Sequence, residues 1–386
     1  MKKYLFQFLF VLVFLVLIFP IATRAQTDLP SIESSSSSLL NGNAPELPDT
    51  YYRAKVVKIL EDGQEAVDGQ MQEHQKLQLE IINGDKKGEQ ITIDHGGSFA
   101  ITVYQKVVEG ETVILAHPPR TPGAIRDVYY IVDKYRLPSL GYLTLVFFGL
   151  AIYFGGRRGF TAILGLTFSV LIIFYFVIPH ILSGGDPLKI CLLGSVAIVL
   201  VSLYLSHGFN KRTSIALLSS ILSLALAVGV DLLFVHFAKL SGAGTEEAFY
   251  LQFDNFAVNL RGVLLGGIIL GVLGVLDDVT TGQAAAVEEI HLANPGRGFL
   301  DLYKRGLSVG REHITSLVNT LVLAYVGASF PLLLLYNSQK LQPFWIILNS
   351  NFMAEEIVRT LVGSAVLVVA VPLTTFLAAT FYSNKK

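Results

Sequence analysis

Two patterns of hydrophobic and polar positions divide the chain. Between residues 50 and 136 charged side chains recur every few positions, and apolar ones alternate with them, as at Leu77, Leu79 and Ile81 and again at Ile91 and Ile93. A period of two marks half-buried strands. Strands are expected over residues 51–60, 76–82, 89–94, 111–116 and 127–133. Turns are expected at Asp62-Gly63, Asn83-Gly84 and Gly96-Gly97. Five short strands in so small a segment suggest a β-rich, OB-like barrel.

From residue 140 onward the pattern changes to long apolar runs parted by short charged clusters. Runs at 140–154, 160–181, 188–205, 215–237, 258–276, 314–336 and 357–381 each approach the ~20 residues that cross a hydrocarbon core. About seven spans are expected. Pro331 and Pro372 are expected to interrupt the sixth and seventh, and Asp186-Pro187 reads as a turn. Tyr336, Phe344 and Trp345 stand where an aromatic belt is expected.

The first residues add an export signal. Lys2 and Lys3 precede an apolar run over 4–21, and Thr23 and Ala25 are small residues placed for cleavage after Ala25. Residues 1–25 read as a signal peptide or as an uncleaved anchor. Residues 26–49, with the serine run Ser34 to Ser38 and Pro30, Pro45 and Pro48, read as a disordered linker. Residues 50–136 form the extracytoplasmic β domain and 137–382 the spans. Orientation follows from Lys and Arg. With the β domain outside and seven spans, the inner loops hold Arg157-Arg158, Lys211-Arg212, Arg297, Lys304, Arg305, Arg311 and Lys385-Lys386. The outer loops hold only Lys189, Lys239, Arg261 and Lys340. The C-terminus is therefore expected in the cytoplasm.

Composition agrees. Of 386 residues, 52% are hydrophobic and 15% charged, against roughly 25% charged in soluble domains. A net charge of −1 argues against a nucleic-acid partner. Cys191 is the single cysteine and forms no intrachain disulfide. His74, His95 and His117 lack metal-ligand spacing and read as surface histidines. No Ser/His/Asp set, zinc motif or P-loop is present, so no catalytic residue, metal or cofactor is expected.

The stretch 266–292 carries the most chemistry. Gly267 and Gly271, then Gly274 and Asp278, are four apart, a spacing that lets another helix approach. Asp277 and Asp278 follow the apolar run directly, and Glu288 and Glu289 come later. In an unbroken helix Asp277 and Glu288 share a face, with Thr281 and Ala285 close to the same stripe. Three readings stand side by side. The helix leaves the membrane near Leu276 and the acids are solvated. The acids line a polar cavity and bind a proton, a cation or a substrate amine. The acids pair structurally with Arg297, Lys304 or Arg311. Asp231 in the fourth run is too far in depth from Asp277 for a shared-proton aspartate pair. Asn319 and Thr320 lie within the sixth run, and Glu356 is spaced to pair with Arg359 or Thr360 on the seventh.

The stretches GVLGVLDDVTTGQAAAVEEI (271–290), GREHITSLVNTLVLAYVGASFPLLLL (310–335) and AEEIVRTLVGSAVLVVAVPLTT (354–375) resemble the YibE/F-like family of bacterial membrane proteins. The likeness covers roughly residues 140–379. It implies a multi-spanning cytoplasmic-membrane protein, described in that family as a permease, with an extracytoplasmic region ahead of the spans. It matches Asp278 and Glu289 to the family's usual acids and makes Asp277 and Glu288 the more variable neighbours. It names no substrate.

The expected protein is thus a polytopic α-helical membrane protein, a permease of unstated substrate and not an enzyme. The rival is a membrane assembly or export accessory whose β domain binds a ligand. The partners expected are the lipid bilayer and either another membrane protein or further copies of the chain.

Overall fold

A computed structural model describes residues 50–67, 70–97, 100–118, 128–253, 258–338 and 343–383. The export signal, the linker, Lys340 and Lys385-Lys386 lie outside these residues. The chain divides into two compact units that meet between Gly149 and Leu150.

The first unit is an antiparallel sheet of β1 (Thr50–Val67), β2 (Gln70–Ile81), β3 (Gln90–His95), β4 (Thr112–His117) and β5 (Tyr130–Lys134), in the order β3-β2-β1-β4-β5. Alternation sends Tyr52, Ala54 and Val56 of β1 inward, with Leu77, Leu79 and Ile81 of β2 and Val113 and Leu115 of β4. Bulges after Val56 and Ile59 re-aim β1, so that Ile59 packs on the same core. Two expectations change here. Asp62-Gly63 is no turn: the pair lies inside β1, opposite Gln75 and His74, because the ladder with β2 continues through it. The sheet is also not a closed barrel. Among the described residues no ladder joins β3 to β5. The edge strands β3 and β5, of six and five residues, come near each other without forming the ladder that closure requires.

The second unit is helical, and its first helix begins within the first unit, at Leu137. Five helical runs are long and apolar enough to cross a membrane: Leu137–Leu182, Pro187–His207, Lys211–Phe237, Leu260–Ala293 and Asn351–Ser383. The first comprises α1 (Leu137–Ile172), a π-helical turn (Ile173–Val177) and α2 (Ile178–Leu182). Its backbone leaves helical geometry at Gly156, with φ 55° and ψ −132°. A Cβ placed on Gly159 would lie 2.0 Å from the Ala151 carbonyl oxygen, although residues eight apart in a straight helix are about 12 Å apart. The chain therefore bends back at Gly156, which only glycine permits without strain. Leu143, Phe147, Leu150 and Phe154 of α1 are all exposed, an apolar surface that calls for lipid or a partner.

Capping side chains start three of the following helices. Asp186 accepts from the backbone N–H of Leu188 and Lys189 at the head of α3 (Pro187–His207), with Pro187 in its first turn. Asp186-Pro187 is thus a helix start rather than a turn. Asn210 caps α4 (Lys211–Phe237) by accepting from Thr213 N at 2.8 Å. After α5 (Glu246–Phe253), Asn259 caps α6 (Leu260–Ala293). Then come α7 (Phe299–Ala328), α8 (Phe330–Ser338), α9 (Phe344–Leu348) and α10 (Asn351–Ser383).

The sixth apolar run is split between α7 and α8 by a break at Ser329, just before Pro331. Pro372, by contrast, sits inside an unbroken α10. Phe344 and Trp345 of α9 are exposed; the Tyr336 side chain lies outside the described residues.

The helices α4, α6 and α10 pack on one another, with α3 on α6 and α7 on α10 and α6. Small residues set these approaches, though not those the spacing singles out. Gly267 and Gly274 face open space, and a Cβ on Gly271 would meet only the Tyr325 hydroxyl. The close contacts are at Gly262 against Pro187 and Gly266 against Cys191. Gly306 fits against Val287 and Thr375, and Gly310 against Val371 and Gln283. A side chain at any of these would hold the helices apart.

Candidate functional site

The helix α6 does not end at Leu276. It runs on through both acid pairs to Ala293, so the acids are sorted by helix face. Asp277 and Glu288 turn inward, half-buried, while Asp278 and Glu289 are exposed. The two residues matched to the family's usual acids are thus the exposed ones. Thr281 donates to the Asp277 carbonyl at 2.8 Å, which ties its hydroxyl to the helix.

Asp277 lies on a groove of about 520 Å³ between α1, α3 and α6. Its Oδ2 accepts a hydrogen bond from Ser202 Oγ of α3 at 2.9 Å. Its Oδ1 is buried with no hydrogen-bond partner. Ser206, His207 and Arg158 complete the polar part of the lining, with Asp278 at the edge. Leu166, Ile198, Leu270 and Leu273 supply apolar walls. One carboxylate oxygen held and the other unpartnered, beside hydroxyls and an imidazole, suits a cationic or hydrogen-bond-donating ligand.

Glu288 takes a structural place. Its Oε2 lies 3.2 Å from Arg212 Nη1 of α4, and its Oε1 accepts from the Tyr382 hydroxyl of α10 at 2.9 Å. The cation that partners it is Arg212, not Arg297, Lys304 or Arg311. Arg297 and Arg305 pair instead with Asp301 on α7. Asn319 is exposed on α7. On α10, Glu356 Oε2 stands 3.7 Å from Arg359 Nε, and Thr360 donates to the Glu356 backbone carbonyl.

Several polar residues inside the bundle escape a reading by motif. Gln283 donates to the Gly306 carbonyl and to Thr375 Oγ1 at 2.7 Å. Ser220 meets Thr280 at 2.9 Å, and Ser219 meets Thr374. Glu355, 3% exposed, accepts from Gly242 N and Asn351 Nδ2, each at 2.9 Å. The available signal was helical periodicity: Ser220, Ser223, Ala227 and Asp231 recur three or four apart on α4.

The sheet unit holds a separate cleft of about 310 Å³, lined by Asp94, His95, Tyr104, Gln105, Tyr129 and Lys134 among others. Its histidines are not simply surface residues. His95 is buried, with Nε2 3.2 Å from the Gln105 carbonyl, because β3 turns it into the fold. Burial holds its imidazole below the ordinary pKa, and the Gln105 carbonyl and Asp94 oppose this only in part. His74 Nε2 lies 2.6 Å from Asp94 Oδ1. Among the described residues no cluster of three His, Cys, Asp or Glu is arranged to hold a metal.

No curated protein and no solved structure matches the chain. A family model does: that of the YibE/F-like proteins, over residues 143–384. That match takes in the helical bundle, the Asp277 groove and the Glu288 cross-link together, and the chain belongs to the YibE/F-like family.

Proposed function

We propose that this chain is a permease of the bacterial cytoplasmic membrane, with seven spans and the sheet unit outside. Two features support seven passes. The first apolar run is about 69 Å long at 1.5 Å per residue, twice what a bilayer needs, and it bends back at Gly156. The apolar half of α7, continued by α8, adds the sixth pass. The basic residues at Arg157-Arg158, Lys211-Arg212 and Arg297 to Arg311 then share the cytoplasmic side.

The observation that carries transport is the buried, unpartnered Oδ1 of Asp277, a residue that lines a groove among membrane-spanning helices. Ionisable groups at membrane depth are costly and mark substrate or ion pathways. The ligand class this favours is a small cation or protonated amine, with Ser202 and Ser206 as further hydrogen-bond partners. The test is uptake of a panel of such solutes into proteoliposomes holding the purified protein. Uptake that depends on the protein and is lost in Asp277→Asn supports the reading. Uptake unchanged in that variant, or no uptake of any member, overturns it.

A second reading rests on the sheet unit. Its cleft carries Tyr104, 92% exposed, beside Tyr129 and Gln105. An exposed aromatic at a polar cleft suits a binding module, as an export accessory would need. A retained ligand on the purified fragment, without solute uptake by the whole protein, would favour it.

A further inference from the structure

Among the described residues, Asp231 is a fully buried carboxyl without a polar partner. It is 0% exposed, and neither carboxyl oxygen has a hydrogen-bond partner. It lies on α4 one turn from both Ala227 and Val235. Those two are buried in an apolar cluster with Leu264 and Ile268 of α6 and Val362 and Val366 of α10. The polar pairs of the bundle stop short of it. Ser223, the nearest buried hydroxyl on the same face, is about 12 Å away along the helix.

An ionised carboxylate in such a place would be desolvated with no hydrogen bond to offset the loss. The charged and titratable groups on the packed elements are all engaged elsewhere or distant. On α10, Glu355 is held by Gly242 and Asn351, and Glu356 by Arg359. On α3, Asp186 caps the helix and lies 3.6 Å from Lys189. Arg261 of α6 and His236 of α4 line a separate groove of about 400 Å³ at that end of the bundle. None of these groups is a hydrogen-bond partner of Asp231.

We propose that Asp231 is a proton-binding site within the bundle. A metal cation would require several oxygen ligands, whereas neither Asp231 oxygen has a polar partner and the turns of α4 on both sides of it pack on aliphatic side chains. A proton neutralises the group with no ligand besides the carboxyl. The exchange route favours the end of α4 near Glu355. Asp231 is six residues, about 9 Å, from Phe237 at that end and nineteen, about 28 Å, from Arg212 at the other. Such a site stores one proton at membrane depth and is independent of the Asp277 groove, which opens on α1, α3 and α6.

The test is an infrared difference spectrum of the full-length protein in lipid nanodiscs between mildly acid and alkaline pH. The result expected is a carboxylic-acid C=O band that disappears as pH rises and is missing in Asp231→Asn. A spectrum identical in the two proteins overturns the proposal. If Asp231→Asn does not fold, dicyclohexylcarbodiimide, which reacts with protonated carboxyls in apolar surroundings, replaces it on the unaltered protein. An adduct on Asp231 whose yield falls about tenfold per pH unit once the carboxyl ionises supports the site. An adduct confined to other carboxyls, or one that does not vary with pH, overturns it. Neither readout involves transport, so its failure leaves the permease reading where it stood.

Discussion

Ser202 Oγ donates to Asp277 Oδ2 across 2.9 Å and so joins α3 to α6 at the wall of the groove. The next residue, Asp278, is exposed at the edge of that groove. Adjacent acids on one helix therefore sit in different surroundings. The expected outcome is an order of effects on solute uptake: Asp277→Asn largest, Ser202→Ala intermediate, Asp278→Asn smallest. Exposed substitutions usually change stability by no more than about 0.5 kcal/mol, so membrane abundance of Asp278→Asn should match the parent. Uptake measured with abundance in parallel checks the order.

Glu288 should matter for stability rather than for uptake specificity. It joins α6 to Arg212 of α4 and Tyr382 of α10, and both it and Arg212 are mostly shielded. Glu288→Ala leaves a guanidinium and a phenol without their acceptor, at a cost of about 1–3 kcal/mol. Glu289→Ala, on the exposed face, should cost almost nothing. Thermal unfolding of the two variants in detergent distinguishes them.

Helix approach gives a contrast between two glycines of α6. A Cβ on Gly266 would lie 2.5 Å from Cys191 Sγ, while one on Gly274 meets nothing within 4 Å. Gly266→Ala should lower stability by about 1–3 kcal/mol through overpacking. Gly274→Ala should be neutral or slightly stabilising, since alanine favours the helix by up to about 1 kcal/mol. The measurement is again thermal unfolding.

The sheet unit should lose stability in mild acid. Its apolar core is made wholly of residues from its own strands and loops, so a fragment of residues 50–136 is expected to fold and melt cooperatively. The buried His95 binds its proton less readily than an unfolded histidine. As pH falls below about 6.5, the unfolded chain takes up a proton that the folded one does not, and stability declines until the lower folded pKa is passed. Above that pH the contribution is fully present. His95→Gln should flatten this part of the profile, as followed by circular dichroism melts at stepped pH.

Topology is open to labelling from outside the cell, because Cys191 is buried. Lys87 lies in an exposed turn of the sheet unit and Ser308 on an exposed face of α7. With an impermeant thiol reagent on intact cells, Lys87→Cys should react and Ser308→Cys should not. Reaction at Ser308→Cys would overturn the orientation.

The strands were legible because alternation forces a face. The period-two residues Leu77, Leu79 and Ile81 are the ones the structure buries. Strand lengths were less legible: Asp62-Gly63 has turn chemistry, yet its pairing with Gln75 and His74 prevails locally. Closure of the sheet could not be read at all, since it depends on whether two edges that approach also hydrogen-bond.

For the bundle, the chain's own pattern determined which segments are apolar and helical, and where basic clusters punctuate them. Hydrophobicity and length are local properties, so they survive without any knowledge of neighbours. Only the tertiary structure decided which face of each helix turns inward. It set Asp277 rather than Asp278 against Ser202, gave Glu288 to Arg212, and put the close approach at Gly266 instead of Gly274. It also left both carboxyl oxygens of Asp231 buried without a hydrogen-bond partner. Those outcomes depend on helix rotation and on partners tens of residues away, and a helix that is apolar nearly all round carries no amphipathic stripe to announce them.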